Sequence, residues 1–168
     1  MRAAAFSSRC ITPRPPAASR LSRIRVESYH PRFFRRLFTI ESTVFSDDRY
    51  SLDLFRHLCS DNRDLLLVAR AGNRTVGYAM GELHPKGAEL ISLAVTPSYR
   101  NRGIGRKLLR RLLLRLERNG IGRVFLMVRE TNESAIRLYR GFGFRRIRRV
   151  PEYYADGETA IRMRLELD

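Results

Sequence analysis

Between Tyr99 and Leu109 the chain reads YRNRGIGRKLL, a combination of residue types suited to holding an anion. Gly103 and Gly105 stand among Arg100, Asn101, Arg102, Ile104 and Arg106, directly before a leucine-rich helical pattern. The first turn of a helix has unpaired N–H groups and the positive end of the aligned peptide dipoles, so a phosphate is stabilised there. Glycine lets such a group approach the backbone, and arginine adds charge-assisted hydrogen bonds. A diphosphate fits this pattern. So does a plain glycine turn that opens an exposed cationic helix, and the loop alone does not separate the two. With no GxxxxGK[ST] and no third glycine of a GxGxxG, neither a P-loop hydrolase nor a dinucleotide fold is indicated.

A second stretch, VRETNESAIRLYRGFGF from Val128 to Phe144, changes the odds between those two readings of the loop. Asn132 is a helix-capping type, Tyr139 lies two turns further on, and Gly141 ends the pattern. Read without context, such a tyrosine is an aromatic packed against a sheet.

Both stretches need elements to hold them. RIRVES (Arg23 to Ser28) reads as a first strand. From His30 to Phe45, Pro31 stands where a helix can begin, and Phe34, Leu37, Phe38 and Ile40 follow at roughly helical spacing. SLDLFRHLC (Ser51 to Cys59) reads as a second helix with Ser51 as its cap. DLLLVARA and RTVGYAMGEL, joined by Gly72 and Asn73, read as a hairpin. Ala88 to Val95 is a fourth strand, ended by Thr96 and Pro97. From Gly103 the period changes: Ile104, Leu108, Leu112 and Leu116, with Leu109 and Leu113, form one apolar stripe, arginine and lysine fill the rest, and Gly120 closes the helix. RVFLMVRE is a fifth strand, a short helix follows from Asn132, and FRRIRRV and TAIRMRLEL are two final strands. This order predicts an α/β sheet with antiparallel and parallel pairs.

At 168 residues the chain suits one domain, expected over residues 21–168, and its 43% hydrophobic and 30% charged content is that of a globular protein. Residues 1–20, rich in arginine, serine and proline without an acid, read as a disordered tail; they also have the composition of a transit peptide. Lys and Arg total 33 against 17 Asp and Glu, a net +16 that favours anionic partners, an anionic macromolecule among them. Cys10 and Cys59 form no disulfide framework, and His30, His57 and His84 have no partner at ligand spacing, so no metal is expected. No apolar run approaches the ~20 residues of a membrane span. A cytoplasmic location without membrane contact is the expectation, and monomer and dimer stay open.

The two motifs, [QR]xxGxG at Arg100 to Gly105 and the later helix with Asn132 and Tyr139, resemble the GNAT superfamily of acyl-CoA N-acyltransferases. The resemblance covers Ile24 to Leu167 and is strongest from Leu90 to Phe144. It implies a GNAT fold: a mixed central sheet of six to seven strands, flanked by about four helices and splayed between the fourth and fifth strands. It implies acetyl-CoA as co-substrate, its pyrophosphate held over Arg100, Asn101, Arg102, Gly103, Ile104, Gly105 and Arg106. The backbone of Leu93, Ala94 and Val95 would hold pantetheine, with an N–H near Val95 facing the carbonyl oxygen. Asn132 and Tyr139 would face pantetheine and sulfur, with Tyr139 as general acid.

Within the superfamily the chain is most similar to RimI-like ribosomal-protein alanine N-acetyltransferases. Tyr153 and Tyr154, followed by DGETAIRM, match the loop those enzymes set against a peptide N-terminus. That group uses a glutamate of the fifth strand, in the pattern EVR, as base; this chain has Met127-Val128-Arg129, and a thioether accepts no proton. Glu89, acting through a water, and Glu82 are the candidate replacements, and a solvated strand end is the alternative for Glu89. An α-amine of pKa ~8 also needs less help than a lysine at ~10.4. The implied function is direct acetyl transfer from acetyl-CoA to a primary amine, a protein or peptide N-terminus foremost. A small-molecule amine acceptor and a basic, non-catalytic RNA- or ribosome-binding module are the alternatives.

Overall fold

The hydrophobic pattern of the chain is longest where strands must be covered on both faces. Gly87–Val95 (β4) is buried along nearly its whole length and Arg74–His84 (β3) over most of its own, as central strands must be. In the computed structural model, which describes residues 24–167, these strands sit mid-sheet with Ile24–Ser28 (β1), Leu66–Ala71 (β2), Arg123–Arg129 (β5), Arg145–Val150 (β6) and Ala160–Glu166 (β7) around them. The expected tail over residues 1–20 and Cys10 lie outside the described residues. The seven strands are ordered β1-β2-β3-β4-β5-β7-β6, all antiparallel except the β4–β5 pair. Placing the last strand between the fifth and sixth follows from no local signal in the chain.

Four α-helices are present among the described residues: Phe34–Phe45 (α1), Leu52–Asp61 (α2), Ile104–Arg118 (α3) and Glu133–Arg140 (α4). The first begins later than Pro31 would allow, because Pro31–Phe33 forms a 3-10 turn, with His30 Nδ1 accepting from the Arg32 N–H at 3.2 Å. Ser51 caps α2 as expected, its Oγ accepting from Leu54 N–H at 3.2 Å. None of these helices is long and apolar enough to cross a membrane.

Helices α3 and α4 bury Leu108, Leu112, Leu116 and Ile136 in one core with Leu90, Leu93 and Leu126 of the sheet. Helices α1 and α2 bury Leu37, Ile40 and Phe55 with Leu66, Val68, Tyr78 and Ile91 of the opposite face. Each such fully buried side chain contributes ~1.5–3 kcal/mol. One charged residue interrupts the second core. Glu41, fully buried on α1, accepts from the Tyr50 N–H at 2.9 Å and from the Tyr78 hydroxyl at 2.5 Å, and that hydroxyl also meets Ser92 Oγ at 2.9 Å. A buried carboxylate is tolerated only when hydrogen-bonded in this way. Cys59 lies in the same core; burial, with Glu41 nearby, pushes its thiol up to about 12, so it is packing rather than nucleophile.

The network bolts α1 and β3 to β4 where β4 stops being regular. Met80 pairs with Ser92 but Gly81 with Leu90, so Ile91 is an extra residue, and the carbonyl of Ile91 accepts from Tyr50 OH at 3.4 Å. The expected splay begins beside this bulge. The parallel β4–β5 register runs only from Ala88↔Val124 to Leu90↔Leu126. Beyond it Leu93, Ala94 and Val95 pair with Ala79, Tyr78 and Gly77 on one side and with no strand on the other.

Candidate active site

At the open end of the splay the chain turns sharply into α3. Thr96 N–H bonds Val76 C=O at 2.9 Å, Pro97–Tyr99 makes a 3-10 turn, and Asn101 and Gly103 take left-handed φ of 59° and 73°. A Cβ on Gly103 would meet nothing within 4 Å, so glycine is there for its backbone angle rather than for space. Among the described residues no side chain caps α3, so the first-turn N–H groups are presented by a bare backbone. A cleft of about 170 Å³ lies against them, lined by Val95, Tyr99, Arg100, Asn101, Gly103, Ile104, Gly105 and Arg106, and from α4 by Ser134 and Leu138. Arg100 Nε donates to Val95 C=O at 3.3 Å, and the Arg106 guanidinium stacks 5.2 Å from the Phe142 ring. Arg102 does not line the cleft; it stacks on Tyr99, 5.2 Å from the ring centre, at the rim.

Helix α4 delivers the tyrosine. Asn132 Oδ1 accepts from Ala135 N–H at 3.1 Å, fixing the first turn, and Tyr139 two turns on is fully buried, edge-on to Phe144 at 5.7 Å. Asn132 is itself buried at that cap. The Tyr139 hydroxyl has no hydrogen-bond partner among the described residues. Burial, and then the neighbouring Tyr154, push its phenol well above its ordinary value. An orphaned buried hydroxyl is costly and awaits a partner that the protein itself does not supply. Opposite, Met127 of β5 is buried against Tyr154 and Ala160. Tyr154, whose hydroxyl is also unpartnered, stands 5.1 Å from Tyr153 in an edge-on pair.

One residue that the sequence reading did not single out organises this side. Arg129, two residues past Met127 on the same face of β5, stacks 4.0 Å above the Tyr154 ring. Its guanidinium donates to Asp48, to Asp156 at 2.8 Å and to Glu158 at 2.5 Å. Burial opposes its charge, yet the hydrogen bonds it donates to Asp48, Glu158 and Asp156 outweigh that and hold it protonated. Glu158 also accepts from Thr131 N–H at 3.1 Å and from its hydroxyl at 2.6 Å. Three segments distant in the chain, after α1, on β5 and between β6 and β7, thus meet on one cation. Nothing local marks Arg129 for this role; only DGETA, with two acids in a short loop, offers a partner.

Glu89 sits deeper in the sheet. It opens β4 in register with Phe125 and opposite Glu82, and is 8% exposed. His84 Nε2 lies 3.4 Å from Glu82 and 3.7 Å from Glu89, near enough for an ion pair though not in hydrogen-bond geometry. Burial raises the Glu89 carboxyl, partly offset by Arg162 and His84. Phe125 and Met127 share a face of β5, so Glu89 is on the Met127 face, about 7 Å short of it along the strand. The structure thus gathers the loop residues and Ser134 and Leu138 of α4 around one cleft, with Tyr139 in the core under α3 and α4 and Met127 and Tyr154 in a separate small cluster. Glu89 stands at one remove.

The acetyltransferase (GNAT) family model matches residues 27–144. An uncharacterized protein of Mycobacterium leprae is 39% identical over 133 residues, 76% of this chain but 36% of that one, so the chain spans about a third of that relative's length. The N-alpha-acetyltransferase RimI of Mycobacterium tuberculosis is 36% identical over 136 residues, covering 77% of this chain and 84% of that one. Among solved structures, the ribosomal-protein-S18-alanine N-acetyltransferase of Escherichia coli superposes with a TM-score of 0.79 at 28% identity, over 86% of this chain and 94% of that one.

Proposed function

The chain belongs to the GNAT acetyltransferase family and is an N-acetyltransferase, and we propose that it transfers acetyl from acetyl-CoA directly to the α-amine of a protein or peptide N-terminus. The observation that carries this reading is the splay of β4 from β5, with a bare helix N-terminus at its open end and, buried on the helix whose Ser134 and Leu138 line the same cleft, the unpartnered Tyr139 hydroxyl. The first-turn N–H groups of α3, with Arg100 and Arg106, hold a pyrophosphate. Arg102, at the rim, adds charge. The strand-free edge of Leu93, Ala94 and Val95 is a row of backbone donors and acceptors that pantetheine can pair, as a further strand would. The Asn132 cap fixes the first turn of α4, the helix from which Tyr139 would reach the sulfur.

Acetyl-CoA supplies an activated acyl thioester. The backbone N–H near Val95 faces the carbonyl oxygen and stabilises the negative charge that develops there. Tyr139, whose phenol keeps its proton at neutral pH, donates it to the departing sulfur. Glu89, acting through a water past Met127, takes the amine proton, a task eased by an α-amine pKa of ~8. Tyr154 and Tyr153, braced by Arg129, line the acceptor's path. RimI of M. tuberculosis, named an N-alpha-acetyltransferase, supports the α-amine over a lysine side chain.

Release of free thiol from acetyl-CoA, followed against peptides beginning with Ala, Ser or Met and against small amines, tests the reading. Release that requires a peptide α-amine and drops in Tyr139→Phe and Glu89→Gln is the expected outcome. Release with small amines alone would overturn the acceptor assignment.

A further inference from the structure

On the α1 face of the sheet, at its β1 side, arginines converge without the acids to balance them. Arg32 comes from the Pro31–Phe33 turn, Arg36 from the start of α1, Arg70 from β2 and Arg74 from the head of β3. Together with Phe33, Asn73 and Thr75 they line an open cleft of about 540 Å³. Arg25 of β1 stands directly opposite Arg70 in the strand pair, an arrangement of like charges that destabilises a sheet. Among the described residues Glu27, 3.3 Å from Arg70, is the one carboxylate in ion-pair contact with any of these five arginines. Five cations against one anion leave a local charge of +4.

The guanidiniums are also held in place. Arg32 and Arg70 stack on the buried Phe33 ring, 4.7 and 5.5 Å from its centre. Stacking orients a planar fork without consuming its donors, and Arg70 Nε is buried with no hydrogen-bond partner among the described residues. Lys107 and Arg110 of α3 differ: the pocket they line with Arg106 also contains the acid Glu117 and the apolar Leu113, Leu114 and Phe142.

We propose that this cleft is a binding site for the polyphosphate group of a small molecule, separate from the glycine loop. A lone phosphate dianion would offset about two of the four charges, whereas a di- or triphosphate matches them. The cleft is lined from the Pro31–Phe33 turn, α1, β2, the turn at Asn73 and β3, and shares no residue with the glycine-loop cleft on α3 and α4.

Isothermal titration of the full chain with inorganic tripolyphosphate at constant ionic strength, with the glycine loop saturated by coenzyme A, tests the site. One tripolyphosphate is expected to bind per chain, and R36Q/R74Q to weaken it at least ~10-fold. Arg25→Gln removes the like-charge pair, so it is expected to raise the melting temperature of the ligand-free chain and to shrink the rise that tripolyphosphate produces. Loss of binding in the presence of coenzyme A, with coenzyme A binding itself unmoved by R36Q/R74Q, would put the anion in the glycine loop and overturn the proposal. Equal affinity for orthophosphate would overturn it too, as would an affinity unmoved by R36Q/R74Q.

Discussion

Removing the Tyr139 hydroxyl separates a catalytic tyrosine from a packing one, because the two roles predict opposite signs. The side chain is fully buried, its ring meets Phe144 edge-on at 5.7 Å, and its oxygen has no partner among the described residues. Phenylalanine keeps the ring contact and discards only the orphaned atom. Leaving a buried hydroxyl unpaired costs ~1–3 kcal/mol, so Tyr139→Phe is expected to leave the coenzyme-free chain as stable or to stabilise it by ~1 kcal/mol. For a chain of this size that is a rise of ~2–4 °C in melting temperature. Turnover is expected to fall ~10²–10⁴-fold, the worth of a positioned general acid. The sign with pH also follows. A folded-state pKa raised above the unfolded ~10 means that the neutral phenol's contribution is intact below pH ~10 and is lost only as pH rises towards the folded value. The stability difference should therefore be flat from pH 6 to 9. Differential scanning fluorimetry and thiol-release kinetics on one preparation read both quantities. A variant that melts several degrees lower and still turns over would refute the reasoning, since the hydroxyl would then have a structural partner and no chemical task.

Glu89→Gln should remove the acidic limb of the kcat/KM–pH profile, a limb that in the wild type lies above the ordinary carboxylate range because burial raises this group. The same shift makes the Glu89 contribution to stability complete below the unfolded pKa of ~4.3 and lost as pH rises through the folded value, so urea titrations at pH 7 should find the glutamine variant no less stable. Arg129→Met strands Asp48, Asp156 and Glu158 without their cation; a loss of ~1–3 kcal/mol and at least a ~10-fold rise in acceptor KM are expected, with acetyl-CoA affinity unchanged by calorimetry. Gly103→Ala places a side chain at φ 73°, for which strain of ~1–2 kcal/mol and several-fold weaker acetyl-CoA binding are expected, with acceptor KM unchanged.

Much of this could be read from the chain because local signals pointed the same way. The stripe of Leu108, Leu112 and Leu116, the capping types Ser51 and Asn132, and Gly103 ahead of Ile104 each specify geometry within a turn or two, and each stands where expected. What escaped the reading depends on contacts distant in sequence. Glu41 looks like any helical glutamate until Tyr78, 37 residues on, bonds it, and Arg129 meets Asp48 across 81 residues. No periodicity encodes such pairs. The bulge at Ile91 was equally silent, since an extra residue in a continuous apolar run leaves the run apolar.

The short parallel register has a mechanical consequence. Strands β1 to β4 form one antiparallel leaf and β5 to β7 another, and within the sheet three paired residues are their whole spine. From Leu90 to Val95 the free margin is about 16 Å long, so a swing of only ~10° pivoting at Leu90 moves its tip by about 3 Å. That is comparable to the difference between a hydrogen bond made and one broken. Arg129 on the second leaf grips Asp48, in the turn that follows α1 on the first, and so acts as a clasp across the book. A substrate seated between the leaves sews them together, and the width of the slot becomes a property of the occupied protein as much as of the chain.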